Sequence, residues 1–428
     1  MTGAHQPDPR PSRAVSRRSV LGGAAVVAAA GLVAAAPASG ATPLLAAGKG
    51  SRQPFVAVRH GQFSAAGKAF RFGGTNCYYL HQQSHYMIDS VLDDAAAMAL
   101  TVVRAWAFAD GSTQPKPLQP NPYEYDEAAF DSLDYAVWKA GQLGIRLVLP
   151  LVNNWPDYGG MQQYVQWFLG LPDDSYGDGA NHDKFYTDKA IRKCYKAYAR
   201  HVIQRLNRYT GLRYCDDPTV MTFELANEPR NRSDKTGAAV LGWVTEMSAW
   251  IKQWAPRQLV SVGDEGFYGD ASNSDYPYSN YEGDRWKQFL KVRTVDYGTF
   301  HLYPQGWGDV SAADPVGWGT KWITDHIADG KKLGKPVVLE EYGLQIDATK
   351  GIADAAARDA GYLAWTATVE KGGLAASDQF WILTSRIDDG SYYPDYDGYR
   401  IVWRNDADNP SNSTAQLLAA HAKRMATN

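Results

Sequence analysis

Eight apolar runs rich in β-branched residues alternate along the chain with longer segments whose apolar positions recur at helical spacing. The apolar runs occupy residues 70–75, 101–107, 146–152, 220–228, 259–266, 295–303, 336–343 and 379–384. The helical segments cover residues 126–143, 183–209, 238–254, 318–333 and 353–371. Strands that alternate with helices in this way predict a parallel α/β architecture, and eight such units close a (β/α)8 TIM barrel.

An open, doubly wound sheet is the alternative architecture for the same pattern. That fold carries a glycine-rich phosphate loop after its first strand, whereas this chain continues there with Thr75-Asn76-Cys77-Tyr78. We therefore expect one barrel domain over residues 55–428, beginning with a short hairpin at 55–72 and ending with a helix at 413–425. Residues 42–54 are rich in small and polar side chains and predict a short linker.

The first 41 residues have the composition of an export signal. Four arginines precede an apolar stretch at 20–33 that is too short to span a bilayer, and small residues at 36–41 offer cleavage sites. The phrase Ser16-Arg17-Arg18-Ser19-Val20-Leu21 resembles a twin-arginine signal, with an ordinary secretory signal as the alternative. Either signal predicts a secreted, extracellular protein.

Charge and composition narrow the class of partner. The formal net charge is −3, which argues against nucleic acid and against an anionic membrane surface as partners and favours a neutral substrate. The chain contains 14 Trp and 26 Tyr, and flat aromatic rings pack well against the C–H faces of sugars. An acidic stretch at 388–397 could bind calcium, although a solvated loop is the simpler interpretation.

The cysteines and histidines give no metal-binding pattern. Three cysteines allow one internal disulfide at most, and a Cys194–Cys215 pair is conceivable but not favoured. Cys77 is expected to pack as a small apolar residue. His81 and His85 are four residues apart, but the segment between them resembles a loop, so we expect no metal site there.

Polar and aromatic residues collect where the predicted strands end. The C-terminal strand ends of a TIM barrel form its active face, so these side chains should lie around one opening. In strand order they are Arg104 and Trp106, Asn153 to Trp155, Asn227 and Glu228, Asp264 and Glu265, His301 and Tyr303, Glu340 and Glu341, and Trp381. Two strand ends that carry glutamates predict a pair of carboxyl groups facing one gap, an arrangement suited to glycosidic bond cleavage.

Several of these phrases resemble one enzyme family. Asn-Glu-Pro at 227–229, His-Leu-Tyr at 301–303 and Glu-Tyr-Gly at 341–343 resemble the retaining glycoside hydrolases of family 5. The phrases at 74–76, 103–106, 224–230, 262–268 and 299–304 are similar to its endo-β-1,4-mannanases of the fungal type. The resemblance covers nearly all of residues 55–405 and implies a single-domain (β/α)8 barrel.

The resemblance also implies roles for individual residues. Glu228 corresponds to the general acid/base, with Asn227 beside it binding the sugar 2-hydroxyl. Glu341 corresponds to the nucleophile because it directly precedes the aromatic-glycine pair, although Glu340 competes for the assignment. Alternation along a strand also favours one glutamate over the other, since neighbouring side chains point to opposite sides.

Other positions are assigned by the same resemblance. Arg104 and Tyr303 correspond to donors that keep the nucleophile ionised, and His301 to a histidine near the acid/base. Trp381 corresponds to the platform beneath the sugar before the scissile bond. Walls of the flanking subsites are expected from Trp106, Trp155, Arg230 and Glu265. The mechanism that the resemblance implies requires no metal and no organic cofactor.

The sequence thus predicts a secreted endo-β-1,4-mannanase, most simply a monomer, that acts on mannan, galactomannan or glucomannan. A β-1,4-glucanase and an exo-acting β-mannosidase remain alternatives on the same fold, because mannose and glucose differ by one axial hydroxyl. A non-catalytic sugar-binding barrel is a more distant alternative. Degenerate barrels of that kind usually lack one catalytic carboxylate, and both are present here.

Overall fold

The computed structural model describes residues 53–307, 313–410 and 412–427. The predicted export signal and most of the predicted linker lie outside the described residues. Within those three ranges, no helix combines the length and the apolar character that crossing a membrane requires.

Eight parallel strands form the centre of the molecule, as predicted for a TIM barrel. A three-stranded antiparallel sheet precedes them: β1 (Val56–Arg59), β2 (Gln62–Ala65) and β3 (Lys68–Ala69). The barrel strands are β4 (Gly73–Asn76), β5 (Val102–Arg104), β6 (Arg146–Pro150), β7 (Val220–Glu224), β8 (Leu259–Ser261), β9 (Gly298–Leu302), β10 (Val337–Tyr342) and β11 (Ala376–Phe380). Their order in the sheet is β8-β7-β6-β5-β4-β11-β10-β9.

The seam between β8 and β9 is joined by individual hydrogen bonds instead of a ladder. The amide of Asp296 donates to the carbonyl of Val260 at 2.8 Å, and the amide of His301 donates to the carbonyl of Glu265 at 3.1 Å. The eight strands therefore form a nearly closed barrel. One predicted strand is displaced: the run at 379–384 divides between β11 and a short strand, β12 (Leu383–Thr384), which pairs with β13 (Ile401–Val402).

Helices surround the barrel. They are α1 (His85–Ala97), α2 (Asp131–Leu143), α3 (Gly160–Leu169), α4 (Lys184–Thr187), α5 (Lys189–Gln204), α6 (Ala238–Trp254), α7 (Trp286–Lys291), α8 (Pro315–Leu333), α9 (Ala355–Lys371) and α10 (Ser413–Thr427). All five predicted helical segments are present, but the sequence pattern missed α1, α3 and α7. The predicted loop at 81–85 instead leads directly into α1, where the Ser84 hydroxyl accepts a hydrogen bond from the Met87 amide at 3.2 Å.

Several helices begin and end at residues with recognisable capping chemistry. Asp188 and Asp354 accept hydrogen bonds from the first-turn amides of α5 and α9. Such N-terminal caps satisfy backbone donors that have no partner within the helix. Gly144 ends α2 and Gly334 ends α8, with φ angles of 75° and 72°, a left-handed conformation that suits glycine.

The N-terminal hairpin covers the bottom of the barrel. Val56 of β1 and Phe63 of β2 are buried in a cluster with Val102, Val148 and Met221, which lie within the first three positions of their barrel strands. This apolar plug removes one end of the barrel from solvent. The polar residues at the opposite, C-terminal strand ends therefore surround the open end.

The remaining predictions about cysteine and calcium can be compared with this fold. All three cysteines are free and buried, so the conceivable Cys194–Cys215 bridge does not form. In the acidic stretch at 388–397, Asp389 accepts hydrogen bonds from Ser391, and Asp397 accepts one from the indole of Trp381 at 2.8 Å. Among the described residues, the acidic side chains of this stretch form no group with metal-ligand spacing.

Candidate active site

Two glutamates and a histidine meet at the open end of the barrel. Glu228 follows β7, His301 lies on β9 and Glu341 lies on β10. One side-chain oxygen or nitrogen of each lies within 4.8 Å of those of the other two. The two carboxyl groups that the sequence places 113 positions apart therefore face the same small space.

Glu341 accepts short hydrogen bonds from two side chains. Its Oε1 accepts from Nη1 of Arg104 at 2.6 Å, and its Oε2 accepts from the Tyr303 hydroxyl at 2.6 Å. Arg104 is fully buried; burial works against its charge, but the carboxylates of Glu224, Glu340 and Glu341 raise its pKa well above the usual value. Such charge-assisted contacts stabilise a carboxylate that is almost fully removed from water.

Glu228 is held by a different pair of groups. Its Oε2 accepts from the indole nitrogen of Trp155 at 2.6 Å, and its Oε1 lies 2.9 Å from Nδ1 of His301. The backbone at Glu228 is left-handed, with a φ of 52°, and its amide donates to the carbonyl of Gly263 at 2.8 Å. Because left-handed backbone is rare outside glycine, this conformation is imposed by the surrounding loops.

Glu340 lies on the same side of β10 as its neighbour Glu341, contrary to the alternation expected along a strand. The pairing register of β10 with β9 shifts between Leu339 and Glu341, and this bulge turns both carboxyl groups inward. Glu340 Oε2 lies 3.6 Å from Arg104 Nε and 3.5 Å from His301 Nε2. Burial, followed by the charge of nearby Glu224, raises the pKa of Glu340 well above its usual value, which favours the neutral form of this carboxyl group.

His301 connects all three of these acidic groups. Its Nδ1 faces Glu228 and lies 3.8 Å from Glu341 Oε2, while its Nε2 faces Glu340. Burial opposes a positive charge on the ring, but Glu341 and the contacts with Glu228 and Glu340 outweigh it and raise the pKa of His301 well above the ordinary value. The raised pKa favours the imidazolium form, whose Nδ1 can donate a hydrogen bond to Glu228.

Asn227 is fixed next to the acid pair. Its Oδ1 accepts from Nη2 of Arg104 at 2.9 Å, and its Nδ2 donates to Oδ1 of Asn153 at 2.9 Å. Arg104 thus contacts Glu224, Asn227 and Glu341 with its three guanidinium nitrogens. This arrangement fixes the positions of polar groups from four barrel strands and their following loops relative to one another.

The predicted aromatic platform is part of a packed cluster. Trp381 is 1% exposed and stacks with Tyr78, with ring centroids 5.6 Å apart and planes 12° apart. Trp106 is 2% exposed, and its ring lies 5.0 Å from the guanidinium of Arg104 and 6.1 Å from the ring of Trp381. Tyr78 is more exposed than either tryptophan. It is a contributor to this wall that the sequence patterns did not identify.

Arg230 and Glu265 lie on the other side of Glu228 as a buried ion pair. Nε and Nη2 of Arg230 contact the two oxygens of Glu265 at 2.5 and 2.7 Å, and Nη1 contacts Glu282 at 2.8 Å. The guanidinium also lies 4.8 Å from the ring centroid of Trp155. Burial raises the pKa of Glu265 to about 7, with Arg230 opposing that shift. Glu282 comes from a long loop, and no motif marked it in the sequence.

Glu228, His301 and Glu341 also have side chains of the types that bind metals. Among the described residues they are the one group of three or more with suitable spacing. Each of their four carboxylate oxygens already has a nearby protein group: Trp155, His301, Arg104 or Tyr303. These contacts orient the two carboxyl groups with side chains alone.

The barrel and its facing carboxyl groups define a glycoside hydrolase. A family model described as GH family 5 beta-mannosidase-like matches residues 53–384, and the chain belongs to this family. A curated relative from Oryza sativa subsp. japonica, "Mannan endo-1,4-beta-mannosidase 2", is 36% identical over 369 residues, covering 82% of this chain and 80% of the relative. "Mannan endo-1,4-beta-mannosidase 1" from Solanum lycopersicum is 38% identical over 299 residues, or 68% and 74% of the two chains.

Solved structures give the same family. An endo-beta-1,4-mannanase from Thermotoga petrophila is similar with a TM-score of 0.75 and 42% identity, over 84% of this chain and 78% of that one. The endo-1,4-beta-mannanase from Rhizomucor miehei is similar with a TM-score of 0.75 and 34% identity, over 87% of this chain and 100% of that one.

Proposed function

We propose that this protein is a retaining endo-β-1,4-mannanase that cleaves internal bonds of mannan, galactomannan or glucomannan. The proposal rests chiefly on the approach of Glu228 to Glu341, whose carboxyl groups have oxygens within 4.8 Å of each other. Retaining glycosidases hold their carboxyl groups about 5–5.5 Å apart, whereas inverting enzymes need about 6.5–9.5 Å to admit a water molecule. The close approach favours a covalent intermediate.

In this mechanism Glu341 is the nucleophile and Glu228 the acid/base. Glu341 attacks the anomeric carbon while Glu228 gives its proton to the glycosidic oxygen, so that the bond to the leaving sugar breaks and a glycosyl ester forms. Glu228 then accepts a proton from water, which attacks the same carbon and releases Glu341 as a carboxylate. Both glutamates return to their starting protonation states.

The neighbouring groups support these roles. Arg104 and Tyr303 each donate a hydrogen bond to Glu341 at 2.6 Å and hold the nucleophile in position before substrate arrives. His301 contacts Glu228 at 2.9 Å and can orient that carboxyl group through the proton exchanges of both steps. Asn227 lies next to the acid/base, within reach of a hydroxyl of the sugar before the scissile bond.

The names of the relatives support the proposed substrate class. Curated relatives from two plants and solved structures from two microbes all have names that specify β-1,4-mannan. These four proteins share between 34% and 42% sequence identity with this chain, over 68–87% of its length. Mannan is therefore favoured over a β-1,4-glucan.

We further propose that the enzyme is exported and acts outside the cell as a monomer. The twin-arginine-like phrase and the following apolar stretch support export. Export would bring the enzyme to polymers that are too large to enter a cell. Mass measurement of the mature extracellular protein would identify its N-terminus, which we expect near residue 41.

Product analysis tests the function directly. Incubation with galactomannan, glucomannan and carboxymethylcellulose should release reducing ends from the first two, with mixed oligosaccharides from the earliest time points. Proton NMR of fresh products should show the β-anomer before mutarotation, as retention requires. Activity on cellulose alone would reject mannan as the substrate, initial release of mannose or mannobiose alone would reject endo action, and an initial α-anomer would reject retention.

A further inference from the structure

The loop between α3 and α4 brings an unassigned tyrosine to the edge of the cleft. The ring of Tyr176 stacks on that of Trp155, with centroids 5.1 Å apart and planes 16° apart. Trp155 in turn donates its indole hydrogen to Glu228 at 2.6 Å. Tyr176 is thus separated from the proposed acid/base by one side chain.

Tyr176 remains largely exposed despite this contact. Its relative exposure is 56%, the second highest among the exposed large hydrophobic residues of the described chain. Trp155 contacts the Tyr176 ring and the Arg230 guanidinium, so much of its indole surface is already in contact with protein. The aromatic surface that solvent can reach at this end of the cleft is therefore extended by Tyr176. A flat, partly apolar surface with a hydroxyl group suits the C–H face of a sugar.

The loop that carries Tyr176 is fixed by polar contacts on both sides. The Asp174 carboxylate accepts hydrogen bonds from the amides of Asn181 and His182 at 2.8 and 2.9 Å. The His182 ring nitrogen Nε2 lies 2.9 Å from the carbonyl of Asn154, next to Trp155 in the chain. A site held in place before binding loses less conformational entropy when a sugar arrives.

A second connection joins this loop to the ion-pair network beside the cleft. Nη1 of Arg232 donates to the carbonyl of Gly177 at 3.2 Å, while its Nε and Nη2 contact Glu282 at 2.6 and 2.9 Å. Glu282 also holds Arg230. The position of Tyr176 is therefore linked to the same buried charges that pack against Trp155.

The location of this surface indicates which part of the substrate it contacts. Trp381 lies at the end of β11 and Trp155 follows β6; β5 and β4 separate these two strands in the sheet. Trp155 and Tyr176 lie on the side of the acid/base, which protonates the departing sugar. We propose that Tyr176 is a binding platform for a mannosyl unit of the leaving group, beyond the sugar next to the scissile bond. This inference rests on the proposed function and extends it.

Chain-length dependence tests the platform. Tyr176→Ala should lower kcat/KM for mannohexaose by about tenfold, the equivalent of ~1.4 kcal/mol, because it removes one stacking surface. The same variant should leave hydrolysis of an aryl β-mannobioside unchanged, since its small leaving group cannot reach the platform. Tyr176→Phe should retain most of the activity because it keeps the ring. Tyr86→Ala is the matched control, since Tyr86 is 50% exposed on α1.

The binding register provides a second measurement. Hydrolysis of mannopentaose in ¹⁸O-labelled water shows by mass spectrometry which bond is cleaved, and Tyr176→Ala should shift cleavage towards the reducing end. If the wild-type enzyme is active but Tyr176→Ala changes neither activity nor the bond that is cleaved, the Tyr176 platform is overturned while the proposed function stands. Equal losses on the aryl substrate and the hexaose would also overturn it, because Tyr176 would then act only through Trp155. A wild-type enzyme without activity on any mannan would instead reject the proposed function.

Discussion

The adjacent glutamates of β10 provide the sharpest test of the proposed mechanism. Glu340→Gln and Glu341→Gln make the same nearly isosteric change at consecutive positions. We expect Glu341→Gln to lower kcat/KM by about 10⁴-fold or more, since an amide cannot replace the nucleophile. Glu340→Gln should stay within about tenfold of wild type, because the raised pKa of this carboxyl group favours the neutral form that glutamine resembles.

The structure also gives different expectations for stability. Glu341 accepts two hydrogen bonds of 2.6 Å from Arg104 and Tyr303. A glutamine there loses the charge in these contacts, and we expect a loss of about 1.5–3 kcal/mol in unfolding free energy. Glu340 has neither of its buried oxygens in a hydrogen bond, so Glu340→Gln should change that free energy by less than about 1 kcal/mol at pH 5.

The pH dependence has a defined sign for Glu340. Its folded pKa is raised above the unfolded value, so the folded state binds the proton more tightly and loses stability as pH rises above about 4.3. Glu340→Gln removes this loss and should gain stability relative to wild type between pH 5 and pH 8.

Urea unfolding at several pH values measures the stability effect, and initial rates on mannohexaose measure the activity of both variants. Azide supplies a further check on Glu341→Ala with an aryl mannoside, because a small anion can occupy the vacated space and form the α-mannosyl azide. Equal inactivation by the Glu340 and Glu341 substitutions, or substantial turnover by Glu341→Gln, would refute the assignment of the nucleophile.

Three other substitutions test separate features. Trp155→Phe removes a hydrogen-bond donor to Glu228 and should lower kcat about tenfold. It should also move the alkaline limb of the pH–rate profile to higher pH, and an unmoved limb would contradict this role of Trp155. Burial lowers the pKa of His81 to about 3, so the free energy of unfolding falls as pH drops below about 6.5. Urea titrations should show that His81→Asn reduces this fall by up to ~1.4 kcal/mol per pH unit. Arg230→Lys cannot reproduce the paired contacts with Glu265 and should cost about 2 kcal/mol, measured by thermal unfolding.

The sequence predicted the barrel because buried parallel strands leave a strong signal. Each of the eight apolar runs contains or overlaps an observed strand, since a strand covered on both faces needs apolar residues throughout. Helix α1 was not predicted, and the polar residues just before it, between His81 and His85, resemble a loop. The N-cap at Ser84 was the available signal, and its hydroxyl does cap the helix.

Only part of the candidate site could be predicted from the sequence. Residues at strand ends could be expected to meet, because the barrel topology brings those ends together. The bulge that turns Glu340 inward depends on tertiary pairing and has no local pattern. Glu282 and Tyr176 lie on long loops, whose paths are determined by side-chain contacts instead of periodicity. These residues became apparent once their contacts with Arg230 and Trp155 were known.

The backbone angle at Glu228 has a consequence for engineering inactive forms of the enzyme. At a φ of 52°, any residue with a β-carbon carries a penalty of about 1 kcal/mol or more that glycine avoids. Glu228→Gly should therefore melt at a higher temperature than Glu228→Ala, although alanine is the usual choice for silencing a catalytic position. A glycine version would give a sturdier scaffold for capturing intact polysaccharide chains.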